Sequence, residues 1–194
     1  MAHPLSPPIS PRILSPAQEI EALRLARAAV ESWVLRRETT FMEPSQSGMG
    51  GTRAAAFVSL YQKGQLRGCV GTLEPGGDLG PVLIECAVAA ASRDPRFSPL
   101  SPAELQNIRL EVSVLTAPVE VAHPEEIVVG RDGVVMEKDG RKGLLLPQVA
   151  PQHGWTREVF LDQVCLKAGL LPGAWKEGAR IMIFQAQVFA EPER

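Results

Sequence analysis

The stretch AAAFVSLYQKGQLRGCVGTL, residues 54–73, does most to limit the fold of this chain. Two apolar runs meet at QKGQ, and a connection that short can only return the chain antiparallel. EIVVGRDGVVMEKDGRKGLLLP repeats the pattern, and its Asp132-Gly133 and Asp139-Gly140 turn signals predict a three-stranded meander. IRLEVSVLT alternates Leu110, Val112 and Val114 inward, and ARIMIFQAQVFAE reads as one long alternating strand. Helical periodicity appears between these segments. Ser15, Pro16 and Gln18 open a helix whose apolar face carries Leu23, Ala26, Val30 and Trp33. Asp78 caps a second, with Val82, Leu83, Cys86 and Ala90 on one face and Pro95 halting it. Ser101, Pro102 and Glu104 repeat the cap logic for a short turn, and Thr156 starts a helix ended by Gly169 near Ala168. Hairpins with separated helices predict an α+β fold, a mostly antiparallel sheet flanked by helices.

The 194 residues suit one domain, and residues 1–14 read as a flexible proline-rich lead. MEPSQSGMGGT and PQVAPQHG read as loops, the first of them mobile. Twenty Lys+Arg against 22 Asp+Glu leave a net charge of −2, without the basic excess that nucleic-acid binding draws on. MAHPLSPPISPRIL lacks the basic start and apolar core of a signal peptide, and PVLIECAVAAA is too short to span a bilayer. Three cysteines form neither a disulfide framework nor a CxxC zinc pattern. A cytoplasmic protein with reduced thiols, no metal and no cofactor of its own is the expectation.

Cys69 has two readings. It is a small apolar side chain on a strand, or a reactive thiol for which Gly68 and Gly71 make room. In a regular strand Arg67 shares its face, and a guanidinium there lowers a thiol pKa and binds an anion. Cys86 and Cys165 read as core. In SRDPRF, Asp94 ties down a turn, and Arg96 is either a structural partner or an anion hook. Gln148, Gln152, His153 and Trp155 lie on a connection leading to a helix N-terminus. His153 is there either a solvated side chain or the acid or base of a site. A metal site from Cys69, Cys165 and His153 finds no support in the spacing.

Five collinear segments, LRGCVGTLEP, SRDPRFSPLSPAELQNIRLEVSVLT, GRKGLLLPQVAPQHGW, FLDQVCLKAGL and IFQAQVFAE, resemble the AMMECR-type domain family, protein A of the AmmeMemoRadiSam system. The hallmark motif is Leu66-Arg67-Gly68-Cys69-Val70-Gly71, with valine where isoleucine is usual. The resemblance runs from about residue 17 to 191 and implies one domain over residues 15–191, with a larger and a smaller lobe forming a cleft near the motif. It implies a role for Arg67, Gly68, Cys69 and Gly71, and companions: a Memo-type protein and a radical-SAM enzyme that carries the iron–sulfur chemistry. It brings no established activity. Two functions remain open: a small-molecule enzyme with Cys69 as nucleophile, Arg67 holding an anionic substrate and His153 as acid or base, or a non-catalytic binding or scaffold module.

Overall fold

The computed structural model describes residues 11–36, 51–73 and 77–193. The mobile loop expected at 42–52, except Gly51 and Thr52, and most of the proline-rich lead lie outside the described residues. The described end of that lead is packed: Leu14 is buried, and the N–H groups of Ile13 and Leu14 both donate to Gln187 Oε1. The chain forms two compact units, one from Arg12–Leu115 with the stretch from Gln187 onward, the other around Thr116–Ala186.

The first unit contains α1 (Pro16–Arg36), β1 (Ala55–Gln62), β2 (Gln65–Gly71), α2 (Leu79–Ser92) and β3 (Ile108–Leu115). Its sheet runs β2-β1-β3-β8, with β8 at Ala186–Ala190. As the sequence predicts, Ser15 and Gln18 close the start of α1, and β1 and β2 form an antiparallel hairpin. Lys63 and Gly64 both take positive φ, 51° and 76°, which matches the right-handed twist of the strands they join. Val58, Leu60, Leu110, Val112 and Val114 turn toward α1 and α2 and are fully buried. Helix α2 is rich in alanine, so its backbone lies close to the sheet. Asp78 takes the capping position without a side-chain hydrogen bond, while Thr52 accepts the N–H of Leu79 at 2.9 Å.

The second unit contains β4 (Val119–Glu120), β5 (Gly133–Lys138), β6 (Arg141–Leu145), α3 (Val149–Gln152), α4 (Arg157–Lys167) and β7 (Arg180–Phe184), with sheet order β4-β7-β5-β6. Thr156 caps α4, and Gly169 follows it at φ 72°. Asp139 and Gly140 make the expected β5–β6 turn.

Two expectations fail for tertiary reasons. The meander is only a hairpin. Asp132 is fully buried and folds the preceding residues inward by accepting the N–H of Val128 and the Arg131 guanidinium. Gly133 is thereby the first residue of β5, not part of a turn, and β7 fills the place of the missing strand. The closing strand is broken at Gln185, whose backbone exchanges hydrogen bonds with Thr116, so β7 and β8 enter different sheets. The loop read at PQVAPQHG holds the one-turn helix α3. Among the described residues, no helix is long and apolar enough to cross a membrane.

Candidate functional site

Leu66-Arg67-Gly68-Cys69-Val70-Gly71 lies on β2, an edge strand among the described residues, and the strand is not regular. Ser59 faces Cys69 and Leu60 faces Gly68, but Tyr61 faces Leu66, so Arg67 is the extra residue of a β-bulge. The bulge aims Arg67 along the sheet edge. Its Nε donates to Glu104 Oε1 at 2.8 Å and its Nη1 to the carbonyl of Ser98 at 3.0 Å. Glu104 also closes the capping box of the short Pro102–Asn107 turn. The Arg67 hydrogen bonds, ahead of those from Ser101, push its carboxyl down to about 2.

The outer edge of Cys69 is paired by side chains instead of a strand. Its N–H donates to Asp94 Oδ2 at 2.8 Å, and Arg96 Nη2 reaches its carbonyl at 3.4 Å. The same Arg96 holds both Asp94 oxygens, at 2.9 and 2.7 Å. These guanidinium bonds, opposed by burial and helped by the Cys69 N–H, hold Asp94 far below the usual carboxylate range. The Phe97 ring has Arg67 at 5.9 Å and Arg96 at 5.4 Å from its centroid.

Both glycines have packing roles. A Cβ at Gly68 stands 2.2 Å from the carbonyl oxygen of Ala90 in α2, and one at Gly71 stands 2.2 Å from the Phe57 ring. The helix and the ring occupy the space that side chains would need.

The Cys69 side chain lies on the face opposite α1 and α2. Strand register sets Cys69, Ser59 and Glu111 in one row across β2, β1 and β3, with Tyr61 and Arg109 paired next to it. Ser59 Oγ donates to Cys69 Sγ at 3.2 Å. The thiol is half-buried. Burial raises its pKa, and the hydrogen bond from Ser59 and the charge of Arg96 offset this only in part. Arg67, expected to activate the thiol, points instead to Glu104 and Ser98. Burial also raises Tyr61 and Glu111.

Beside β2 lies a cavity of about 600 Å³, whose wall includes Val70, Asp78, Val82, Cys86, Ala89 and Arg93. Burial pushes the Cys86 thiol up to about 11. Cys165 is in the core of the second unit. His153 is in that unit too, stacked on Trp155 with centroids 4.6 Å apart. Cys69, Arg67, Gly68, Gly71 and Arg96 thus form one connected network within the first unit. Among the described residues, no three His, Cys, Asp or Glu side chains converge as a metal-binding set.

A model of the AMMECR1 family matches residues 23–189. The chain belongs to the AMMECR1 family. It is 40% identical to a protein of Methanosarcina barkeri over 182 residues, 89% of each chain, and 43% identical to one of Methanothermobacter thermautotrophicus over 176 residues, 87% of this chain and 92% of the other. The crystal structure of an uncharacterised protein from Pyrococcus horikoshii superposes with a TM-score of 0.84 at 35% identity, covering 92% of this chain and 94% of that one. This likeness confirms the α+β class.

Sequence reasoning passed over three residues on the same sheet face as Cys69: Ser59, Tyr61 and Glu111. Their signal was present as the polar half of two alternations, Ser59 between Val58 and Leu60 with Tyr61 directly after Leu60, and Glu111 between Leu110 and Val112.

Proposed function

We propose that this protein is a cytoplasmic component of a modification system acting with Memo-type and radical-SAM partners, and that its own contribution is made at Cys69. The observation that carries the reading is the position of the thiol. Gly68 and Gly71 are taken up by packing, and Arg67 and Arg96 by the strand edge. The sulfur of Cys69 alone in the motif is a reactive atom turned away from the helices and flanked by polar groups. Arg67, Gly68, Gly71 and Arg96 serve the site by holding that sulfur in place, and Arg96, with half its side chain exposed, adds a cation for an anionic ligand group. A raised pKa keeps the thiol protonated at neutral pH, so it is a protected nucleophile that reacts when an electrophile and a proton acceptor are both in place.

Iodoacetamide labelling read by peptide mass spectrometry tests the reading. Cys69 is expected to label in the folded protein ahead of Cys86 and Cys165, with an apparent pKa above the ordinary thiol value. Absence of labelling at Cys69 under native conditions refutes a reactive role. With the companion proteins, Cys69→Ser is expected to abolish product formation while leaving assembly intact.

The cavity beside β2 favours a second reading, a binding module without turnover, because its volume suits a small molecule or a short peptide segment. On that reading Cys69→Ser retains full function and Val82→Trp, which fills the cavity, removes it.

A further inference from the structure

The cavity beside β2 has two walls of different kinds. One is a helical stripe: Asp78, Val82, Glu85, Ala89 and Arg93 recur every three or four residues along α2 and share one side of it. At about 1.5 Å per residue the stripe is roughly 22 Å long, the length of an extended chain of six or seven residues. The other wall is the end of β2, with Val70, Gly71 and Thr72. Gly68 lies against Ala90, near the far end of α2, so strand and helix run in opposite senses. Asp78 is therefore at the Gly71 end of the cavity and Arg93 at the Cys69 end.

The strand wall is an open piece of sheet edge. The Thr72 N–H donates to the Ala56 carbonyl at 3.0 Å, so Val70 and Thr72 turn their backbone groups to β1, and Cys69 and Gly71 turn theirs outward. At Cys69 both outward groups are taken, by Asp94 and Arg96. At Gly71, among the described residues, no hydrogen bond reaches the N–H or the carbonyl. The helical wall is apolar at Val82, Cys86 and Ala89 and charged around them. Asp78 holds the capping position of α2 without spending its carboxylate on the helix. Its neighbour Arg53 meets it by a backbone bridge, and no ion pair joins their side chains. Glu85 and Arg93 are exposed and 4.0 Å apart. Two carboxylates thus line the cavity against one guanidinium, and the acidic end is beside Gly71.

We infer that this cavity receives an extended segment of a partner protein, added to the sheet as an antiparallel strand outside Gly71. The main chain of the segment exchanges hydrogen bonds with the Gly71 N–H and carbonyl, which supplies affinity for any sequence that can extend. Alternate side chains turn toward α2, where Val82, Cys86 and Ala89 select apolar ones. A lysine or arginine at the end beside Asp78 meets the carboxylate that the helix leaves unused. The Asp94–Arg96 clamp closes the edge at Cys69 and so limits how far the segment can pair. The inference rests on the binding-module reading of the cavity, names the class of its ligand, and is independent of whether Cys69 reacts.

The probes are fluorescein-labelled hexapeptide amides of the pattern Lys-X-Thr-X-Thr-X, with X valine, isoleucine or leucine, titrated with the full-length protein and followed by fluorescence anisotropy. Saturable binding is expected. Gly71 exchanges both hydrogen bonds with a single residue of an antiparallel strand, so methylating the peptide nitrogens one at a time is expected to give a sharp pattern. One N-methyl group weakens binding at least about tenfold, and those on either side of it, which face solvent, change it less than about twofold. This arm leaves the protein unaltered, so folding does not enter. Asp78→Asn, which keeps a capping side chain, and glutamate in place of the peptide lysine are each expected to weaken binding about three- to tenfold at low salt. Val82→Trp abolishes it, with circular dichroism confirming the fold. Equal effects of all the N-methyl groups, or binding that survives Val82→Trp, overturn the added strand. Absence of saturable binding up to about 1 mM overturns it as well. In that case loss of function in Val82→Trp with the companion proteins retains the cavity as a site for a small molecule, and full function in Val82→Trp removes the binding-module reading too.

Discussion

Gly68→Ala separates a packing role for the motif glycines from a ligand-binding one. The added methyl is placed 2.2 Å from the carbonyl oxygen of Ala90, about 1.2 Å short of ordinary contact at 3.4 Å. The obstacle is backbone of α2, so no rotamer change relieves it. Either α2 lifts from the sheet or β2 bends. A gap of about 1 Å forfeits a quarter to a half of the dispersion energy along the contact. The atoms that meet the methyl belong to the buried Ala90 and Leu60. Overpacking of this kind costs about 3 kcal/mol, at the upper end of the usual range because the clash is with backbone. In a chain of this length that is a fall in melting temperature of about 6–12 °C for the unit holding β2. Thermal unfolding followed by circular dichroism, with urea titration as a check, measures it. A Gly68→Ala protein within about 0.5 kcal/mol of wild type, with Cys69 labelling abolished, refutes the packing argument and returns the glycine to a ligand.

Asp94→Ala leaves the Cys69 N–H and the Arg96 guanidinium without their shared acceptor, and is expected to cost about 3–5 kcal/mol in urea titration. Asp94→Asn keeps one acceptor and should cost less. Glu104 is held down to about 2 by Arg67, so its contribution is present above the unfolded value near 4.5 and is lost as pH falls toward 2. Acid unfolding of wild type against Glu104→Gln is therefore expected to converge near pH 2 and to diverge by on the order of 2–3 kcal/mol above pH 5. Asp132→Ala is expected to destabilise the second unit by about 3 kcal/mol, since it strips acceptors from Val128 and Arg131 at a fully buried position; differential scanning calorimetry reads the loss.

What could be read from the sequence was local. The Lys63-Gly64 and Asp139-Gly140 hairpins, the Ser15–Gln18 and Ser101–Glu104 capping boxes and the Thr156 cap all depend on residues within four positions of one another, and all form. What could not be read depends on partners far along the chain. Asp132-Gly133 carries a turn dipeptide, but burial of Asp132 against Val128 and Arg131 makes it the lead-in to a strand. ARIMIFQAQVFAE alternates without interruption, and only Thr116 explains why it divides at Gln185. The direction of Arg67 follows the same rule. In-strand glycine signals a bulge, but which residue is displaced depends on the pairing of β1 with β2, and that pairing sends the guanidinium to Glu104.

The motif can be understood as a sequence of consequences. An alanine-rich α2 lying close to the sheet requires glycine at 68. Glycine there and a bulge at Arg67 weaken a strand that, among the described residues, has no neighbour strand outside it. The weakness is met by Asp94 and Arg96, which supply the acceptor and donor of a missing strand, and by Glu104 and Ser98, which fasten Arg67. Every one of these groups is explained by the stability of β2, and none requires a ligand. Cys69 is different, because serine or alanine fits the same half-buried position without disturbing the edge, whose bonds are made by the Cys69 backbone. Packing alone therefore gives no reason for sulfur at 69. The reason has to come from the face where Ser59, Tyr61 and Glu111 adjoin it, and chemistry at that face is where the function of the motif should be sought.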